Sequence, residues 1–331
     1  MPRSLVTGGA GFIGSHVGDR LIAAGHEVVV LDDLSGGFRD NVHPEARFVE
    51  GSILDVALLD HLFATHRFNY VFHFAAYAAE GLSHFIKRFN YTNNLIGSVN
   101  LINASINAGT VRGFLFTSSI AVYGRGQLPM HEDLVPAPAD PYGIAKYAVE
   151  QELRASAEMF GLPFIVFRLH NVYGDRQNIG DRYRNVVGIF INQALKGEPM
   201  TVFGDGLQSR AFTHVDDVAP IIARSIDVPE AYGHVFNVGA DSVCTVLELA
   251  QIVAREMELE PTVRHLPARQ EVVNAFASHE KVRRFFGEPL AGITVEEGVR
   301  RMAAWARRHG SRESQAFGAI EVQKRLPPSW R

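Results

Sequence analysis

The sequence has little cysteine and no long run of basic residues, and each shortage excludes a class of protein. Its 331 residues include one cysteine, Cys244, which cannot form an internal disulfide bond. Proteins without disulfides are typical of reducing compartments, so we expect a cytoplasmic location. The formal net charge is −4. This charge argues against nucleic acid or an anionic membrane surface as a partner.

Long apolar segments are missing as well. No apolar run approaches the roughly 20 residues that a membrane-spanning helix requires, so we expect no membrane partner. A strand pattern begins almost directly after Met1 and leaves no room for a signal peptide. We find no internal repeat and no low-complexity segment, and we expect no metal site.

What the sequence does contain is a glycine-rich turn near its start, in the segment from Leu5 to Ser15. Gly8 permits a tight turn, Gly11 lets the backbone approach a pyrophosphate, and Gly14 lets a helix lie close to the preceding strand. The N-terminus of that helix supplies free N–H groups and a partial positive charge for the phosphates. We therefore predict a dinucleotide site on this turn.

The second predicted strand, residues 27–32, gives the turn its context. It ends in Asp32, where a carboxylate can bind the ribose hydroxyls of NAD. The pairing of turn and acid disfavours the alternative, a structural glycine turn that binds nothing. A carboxylate also repels the 2′-phosphate of NADP, and Arg39 stands some distance along the chain. We therefore predict NAD as the cofactor.

Short apolar runs alternate with helical patterns along the chain. This alternation predicts a doubly wound parallel sheet, a Rossmann-like α/β fold, with a smaller C-terminal α/β substrate lobe. The predicted strands are 3–7, 27–32, 46–50, 70–74, 112–117, 164–169 and 234–238. The predicted helices are 12–24, 55–65, 90–108, 142–160, 184–196, 215–226, 245–256 and 295–308.

Near residue 171 the pattern changes to irregular segments rich in Gly, Asn and Arg. No linker separates two halves, and the strand at 234–238 is expected to return to the main sheet. We therefore predict discontinuous domains. The NAD-binding domain comprises residues 1–170 and 212–240, and the substrate lobe comprises residues 171–211 and 241–331.

Candidate catalytic groups follow the fifth predicted strand and open the next helix. Tyr142 and Lys146 are four positions apart, so they share one helical face. A lysine ammonium beside a phenol lowers the tyrosine pKa, which suits a general base and acid. Ser119 is expected to hydrogen-bond the reacting oxygen, with Thr117 and Ser118 facing the same crevice. The alternative is that these three hydroxyls only cap a turn.

Three motifs together resemble the extended short-chain dehydrogenase/reductases, over nearly the whole chain. They are Thr7-Gly8-x-x-Gly11-x-x-Gly14, Ser119 with Tyr142-x-x-x-Lys146, and Arg210-x-Phe212-x-x-Val215-Asp216-Asp217-Val218. Within that family the chain is most similar to NAD-dependent nucleotide-sugar epimerases. The resemblance implies a nucleotide-sugar substrate, with a UDP-sugar favoured, and makes the substrate lobe the part that binds it.

The resemblance also implies two sets of binding residues. The cofactor set is Gly8, Gly11, Phe12, Ile13, Gly14, Asp32, Ser52, Ile53, Ala75, Asn94, Tyr142 and Lys146. The substrate set is Thr117, Ser118, Asn171, Asn185, Val186, Phe203, Arg210 and Arg269. Arg210 and Arg269 resemble the pair that clamps the diphosphate. The family's Gly-Asp-Ile is here Gly51-Ser52-Ile53, which weakens the adenine contact, and the segment around Arg269 is one residue shorter than usual.

A homodimer is implied in the same way. The predicted helices 90–108 and 142–160 resemble the pair that forms a four-helix interface in this family. Apolar residues such as Leu95, Val99 and Ile102 could face a partner chain. Burial against the chain's own sheet is the competing explanation for them.

Two residues after Ser119 discriminate among the family's reactions. Related 4,6-dehydratases carry an Asp-Glu pair there, and related decarboxylases carry a Glu at the second position, but this chain has Ile120 and Ala121. Neither side chain transfers protons, so 4-epimerisation through a 4-keto intermediate is favoured. A nucleotide-sugar reductase or dehydrogenase, a dehydratase, and a dinucleotide-sensing protein without catalysis stay as alternatives.

The sugar is left open among hexose, N-acetylhexosamine and hexuronate. In related 4-epimerases a residue some six positions beyond the second phosphate arginine lines the sugar pocket. In this chain that position is Ala275, or its neighbour Asn274 if the shortened loop shifts the register. Both side chains are smaller than an aromatic ring, so we predict that the pocket admits a sugar larger than glucose.

Overall fold

The computed structural model describes residues 1–126, 128–268, 274–287, 292–313 and 317–330. The strands are β1 (Arg3–Thr7), β2 (Glu27–Asp32), β3 (Arg47–Glu50), β4 (Tyr70–His73), β5 (Gly113–Ser119), β6 (Phe164–Leu169), β7 (Val172–Tyr173), β8 (Met200–Phe203), β9 (Ser209–Ala211), β10 (Thr213–His214), β11 (Val235–Val238), β12 (Val243–Thr245), β13 (Val263–Leu266) and β14 (Asn274–Ala275). The α-helices are α1 (Phe12–Ala23), α2 (Val56–His66), α3 (Glu80–Ser83), α4 (Lys87–Tyr91), α5 (Gly97–Ala108), α6 (Pro141–Phe160), α7 (Val186–Leu195), α8 (Val215–Arg224), α9 (Val246–Glu256), α10 (Glu280–Phe286) and α11 (Val295–His309).

Seven of these strands form one parallel sheet in the order β11-β6-β5-β4-β1-β2-β3. The chain builds outward from β1 to β3 and then returns to the other side of β1 with β4. This reversal leaves a crevice at the carboxyl ends of β1 and β4, where doubly wound folds bind their ligands. The predicted fold class is confirmed, including the return of the strand near residue 235 to the main sheet.

The strands have apolar residues on both faces because helices cover the sheet on both sides. On one face Val6, Val28 and Val30 pack in a core that also contains residues of α1 and α8. On the other face Leu5 and Val29 pack in a core shared with α2 and α5. Continuous apolar runs in the sequence therefore mark the buried strands correctly.

A third core lies in the C-terminal part of the chain. Helices α7, α9 and α11 contribute Phe190, Leu249 and Met302 to it, among other buried residues. The strands nearby are short: β8 pairs with β13, and β9 lies between β12 and β14. These strands lack the continuous apolar runs of the buried parallel sheet, so the sequence does not predict them.

The predicted helix at 90–108 differs from the observed one. A π-helical turn, Thr92–Ile96, separates α4 from α5 and contains Asn94, which is buried. Such turns are frequent at functional sites, and apolar periodicity does not detect them. Among the described residues, no helix combines the length and the apolar character needed to cross a membrane.

Candidate functional site

A cavity of about 550 Å³ opens at the carboxyl ends of the central strands. Its wall includes most of the predicted site residues, although they come from distant parts of the chain. These are Gly8, Gly11, Phe12, Ile13, Gly14, Asp32, Ser52, Ile53, Ala75, Thr117, Ser118, Ser119, Tyr142, Lys146, Asn171, Asn185, Val186, Phe203 and Arg210. The structure therefore brings the predicted cofactor, catalytic and substrate residues to one cavity.

The glycine turn is packed so closely that side chains would not fit. A Cβ atom on Gly14 would lie 2.3 Å from the carbonyl oxygen of Gly8, and one on Gly8 would lie 2.6 Å from the backbone nitrogen of Ala75. Gly8 also has φ of +70°, which favours glycine. Gly11 is the N-cap of α1, and as a glycine it has no side chain that could cap the helix. The helix N-terminus is thus directed at the cavity without a side-chain cap, which suits a pyrophosphate.

Asp32 lies at the end of β2 and is held by the backbone. Its Oδ2 accepts a hydrogen bond from the Ala10 N–H at 2.9 Å, and its Oδ1 accepts one from the Leu34 N–H at 2.8 Å. Burial nevertheless raises the pKa of this carboxyl above its ordinary value. The carboxylate is fixed at the cavity wall, and each oxygen can accept a further bond from a ribose hydroxyl. Together with the glycine turn, this arrangement fits a dinucleotide.

The candidate catalytic groups meet where β5 ends and α6 begins. Helix α6 starts at Pro141 because the Asp140 side chain caps it, accepting from the Gly143 N–H at 2.9 Å. Tyr142 and Lys146 consequently occupy the first turns of the helix, and both are buried. The Lys146 Nζ donates to the carbonyl oxygen of Thr117 at 2.8 Å, which ties the helix to the strand.

Burial is the largest influence on the pKa values of Tyr142 and Lys146. It raises the pKa of Tyr142 above that of an ordinary tyrosine, and a hydrogen bond with Ser119 acts in the opposite direction. Burial lowers the pKa of Lys146 to about 7, with the Glu150 carboxylate opposing the change. The expectation that the Tyr142 pKa is lowered is therefore wrong for the chain alone, because desolvation of the phenolate is the largest influence on it.

The hydroxyls of Thr117 and Ser118 are bonded within the protein. Thr117 Oγ1 donates to the carbonyl oxygen of His73 at 3.0 Å, and Ser118 Oγ donates to Glu150 Oε1 at 2.5 Å. Glu150 in turn binds the Arg168 guanidinium through two hydrogen bonds of 3.0 and 2.6 Å. Substrate contacts from the two hydroxyls stay a prediction.

The predicted substrate residues come from short elements of the C-terminal part. Asn185 caps α7 through the Val187 N–H at 3.2 Å, which places Val186 at the helix start. Arg210 lies on β9 beside Ala275 of β14, and both line the cavity. Ala275 is also buried. A predicted phosphate ligand and the predicted pocket residue are therefore direct neighbours.

Among the described residues, one predicted site residue, Asn94, is not part of the cavity wall. Asn94 bonds both backbone groups of Tyr77, at 2.8 and 3.0 Å, and also the side chain of Asn90. Asn90 then donates to the carbonyl oxygen of Pro141 at 2.8 Å, so Asn94 braces the start of α6 instead of lining the cavity. Arg269 lies outside the described residues.

Sequence reasoning missed several residues that shape the site. Glu150 follows Lys146 by one helical turn, and Arg168 is a charge inside an apolar strand, so spacing and context could have paired them. The wall also contains Tyr77, Glu80 and Arg184, for which the sequence offers no comparable motif. The guanidinium of Arg184 lies 4.8 Å from the centre of the Tyr77 ring.

Comparisons with known proteins confirm the predicted family. A family model described as the NAD dependent epimerase/dehydratase family matches residues 4–239. A putative UDP-glucose 4-epimerase of Methanocaldococcus jannaschii is 31% identical over 91% of this chain and 97% of its own length. A UDP-glucose 4-epimerase of Mycolicibacterium smegmatis is 39% identical over 76% of this chain and 82% of its own length. A crystal structure of UDP-glucose 4-epimerase from Thermotoga maritima with UDP-glucose is 36% identical, has a TM-score of 0.88, and corresponds to 93% of this chain and 99% of that one.

Proposed function

Because the chain belongs to the NAD-dependent epimerase/dehydratase family, we propose that it is an NAD-dependent 4-epimerase of a nucleotide sugar, with a UDP-sugar as the substrate. The observation that carries this proposal is the meeting of Ser119, Tyr142 and Lys146 at a cavity that also contains the glycine turn and Asp32. The similarity to named UDP-glucose 4-epimerases supports the same reaction.

The cofactor half of the cavity suits NAD. Gly8, Gly11 and Gly14 would hold the pyrophosphate at the start of α1, and Asp32 would hold a ribose. Lys146 would bind the second ribose from the floor of the cavity. NAD held there would supply the hydride chemistry, accepting a hydride from the sugar carbon and giving it back to the opposite face.

The chain's own residues manage the proton and the substrate. Tyr142 removes the proton of the sugar 4-hydroxyl and later returns it, while Ser119 hydrogen-bonds the same oxygen. Lys146, next to the phenol, favours the phenolate when it is charged. Arg210 holds the diphosphate by charge-assisted hydrogen bonds while the 4-keto sugar rotates beneath it. Arg269 is proposed as its partner on the strength of the sequence alone.

The residues after Ser119 disfavour elimination and decarboxylation. Ile120 and Ala121 both line the cavity, at the positions where related dehydratases and decarboxylases carry acids. An aliphatic side chain neither donates nor accepts a proton. Transient oxidation at one carbon needs only the serine, the tyrosine, the lysine and the cofactor.

We also propose a two-part organisation, with residues 1–170 and 212–240 binding NAD and residues 171–211 and 241–331 binding the nucleotide sugar. The separate core formed by α7, α9 and α11 supports it. A cytoplasmic location is proposed on the basis of the single cysteine.

A homodimer through the predicted helical stretches 90–108 and 142–160 is proposed as well. Leu95 and Ile102 pack in the chain's own core and so cannot lead such an interface. Ile96 and Ile144 are 50% and 42% exposed and are better candidates. Light scattering of the purified protein should give twice the mass of the chain, and a monomer mass would contradict the proposal.

The reaction is tested with purified protein and a panel of nucleotide sugars, without added reductant. We expect UDP-glucose and UDP-galactose, or their N-acetyl or uronate forms, to interconvert, and denatured protein to release NAD. Conversion that consumes added NADH stoichiometrically would identify a reductase. A product lacking the elements of water would identify a dehydratase, and either outcome contradicts the proposal.

A further inference from the structure

The chain continues past α11, and residues 317–330, which we call the C-terminal segment, pack against the cavity from outside. Trp330 and Leu326 are buried together with Ala79, Leu82 and Ile86. These three belong to the stretch around α3, whose neighbours Tyr77, Glu80, Gly81 and His84 line the cavity. The segment therefore forms the outer side of one cavity wall.

Trp330 packs closely against this wall. A Cβ atom on Gly81 would lie 3.1 Å from the Trp330 ring, so the indole rests directly on the backbone of a cavity residue. The same ring lies 5.4 Å from the centre of the Tyr183 ring. Tyr183 lines the cavity from a different part of the chain, so one side chain contacts two walls at once.

Glu321 fixes the stretch that follows α3. Its carboxylate accepts hydrogen bonds from the Arg88 and Phe89 N–H groups at 2.8 and 3.0 Å. The backbone N–H groups of Glu321 and Val322 donate to the carbonyl oxygen of Phe85 at 2.8 and 3.2 Å. These four bonds hold the start of α4. This helix carries Asn90, which donates a hydrogen bond to Pro141 at the start of α6.

Phe317 links the same two walls at a second point. Its backbone N–H donates to the Tyr183 hydroxyl at 3.0 Å, and its ring lies 5.3 Å from Tyr77 and 4.9 Å from Phe89. Tyr77 is also the residue over which the Arg184 guanidinium lies. The C-terminal segment thus joins the wall at residues 77–86 to the wall at residues 183–184.

The position of these walls indicates which part of a ligand they meet. Glu80 and Arg184, one from each wall, line the same cavity as Tyr142. Helix α3, which begins at Glu80, also packs against α6, whose first turn carries Tyr142. Under the proposed function, on which this step rests, Tyr142 reacts with the 4-hydroxyl of the sugar. Both walls therefore border the sugar. We infer that the C-terminal segment is a positioning element that sets the shape of the sugar end of the cavity and thereby the affinity for the sugar.

The test compares the binding of UDP-glucose and UDP by calorimetry in wild-type protein and in Trp330→Ala. UDP lacks the sugar, so the ratio of the UDP-glucose and UDP dissociation constants reports how strongly the protein binds the sugar part. We expect Trp330→Ala to weaken UDP-glucose binding on the order of tenfold, with UDP binding and NAD content unchanged. Trp330→Phe should restore most of the loss, and Lys324→Ala, an exposed change in the same segment, should have no effect.

Glu321→Gln provides a second, milder variant in case Trp330→Ala fails to fold. It keeps the shape of the side chain and removes its charge, so we expect a smaller shift of the same ratio. An unchanged ratio in the folded variants, or an equal loss of UDP and UDP-glucose binding, would overturn the inference. Failure of wild-type protein to bind or convert any nucleotide sugar would instead contradict the proposed function.

Discussion

The two ends of the cavity are built in different ways. At the cofactor end, the turn between β1 and α1 is packed against backbone atoms, and a Cβ atom on Gly14 would lie 2.3 Å from the Gly8 carbonyl oxygen. At the sugar end, the wall comes from several separate stretches, held by side chains such as Asn94 and Trp330. A dinucleotide presents the same phosphates in every relative, whereas the sugar varies. A backbone-built site suits the constant ligand, and a side-chain-built site can be altered by single substitutions.

The largest expected effect comes from Tyr142→Phe, which removes the proposed base at the junction of the two ends. Loss of a positioned general base typically lowers the rate about 100- to 10,000-fold. NAD content and the affinity for UDP-sugar should stay near wild-type values, since neither end is altered. Turnover and binding measured on the same preparation check this, and near-normal kcat would refute the role of Tyr142.

Gly14→Ala should damage the cofactor end alone. The new Cβ atom would meet the carbonyl oxygen of Gly8 at 2.3 Å, and overpacking of this kind typically costs ~1–3 kcal/mol. We expect lower NAD retention and a lower Tm. The control is Gly18→Ala in the same helix, where the structure leaves open space within 4 Å. That change should raise stability by about 0.5–1 kcal/mol and leave NAD content unchanged. Equal behaviour of the two variants would disprove the close-packing argument.

Ala275→Tyr should act at the sugar end alone. Ala275 is buried at the cavity wall beside Arg210, so a tyrosine there would occupy space that an N-acetyl group needs. We expect wild-type protein to accept the N-acetyl sugar. The variant should lower the ratio of kcat/KM for UDP-N-acetylglucosamine to that for UDP-glucose by about tenfold or more. Rejection of the N-acetyl sugar by wild-type protein, or an unaltered ratio, would contradict this prediction.

A further prediction concerns the stability of the protein as a function of pH and the role of Lys146 in it. Burial lowers its pKa to about 7, whereas the unfolded chain keeps the ordinary value near 10.5. Between these values the unfolded state binds more protons, so this group makes the protein more stable as pH rises, by at most ~1.4 kcal/mol per pH unit. Lys146→Met, matched for NAD content, should therefore gain stability relative to wild type at pH 6 and lose that advantage by pH 10. Denaturation curves at both pH values test this, and a pH-independent difference would contradict the burial argument.

The cofactor end and the sugar end of the cavity also differ in how well the sequence predicts them. Strands β1 to β6 were predicted to within about two residues because buried parallel strands are continuous apolar runs. The glycine turn and the Tyr142/Lys146 pair were found because their spacing is local. The sequence does not predict the short strands β7 to β10 and β12 to β14, the π-helical turn or the C-terminal segment. Each of these depends on contacts between residues far apart in the chain, such as Phe317 with Tyr183.

The direction of the Tyr142 pKa was also missed, for a different reason. Spacing shows that Lys146 is near the phenol, but it does not show how completely both groups are buried. Desolvation depends on the whole surrounding packing, and it is the largest influence on the Tyr142 pKa.

The ion pair between Glu150 and Arg168 has a consequence for how this sequence can change over time. Both side chains are almost fully buried, and their oxygen and nitrogen atoms lie 2.6 Å apart. Replacing one partner strands a charge in the interior and typically costs ~3–5 kcal/mol, whereas replacing both with apolar residues can be nearly neutral. A single substitution at either position is therefore disfavoured, both in natural evolution and in stepwise directed evolution. We expect the two residues to change together, and a library of variants must vary both positions at once.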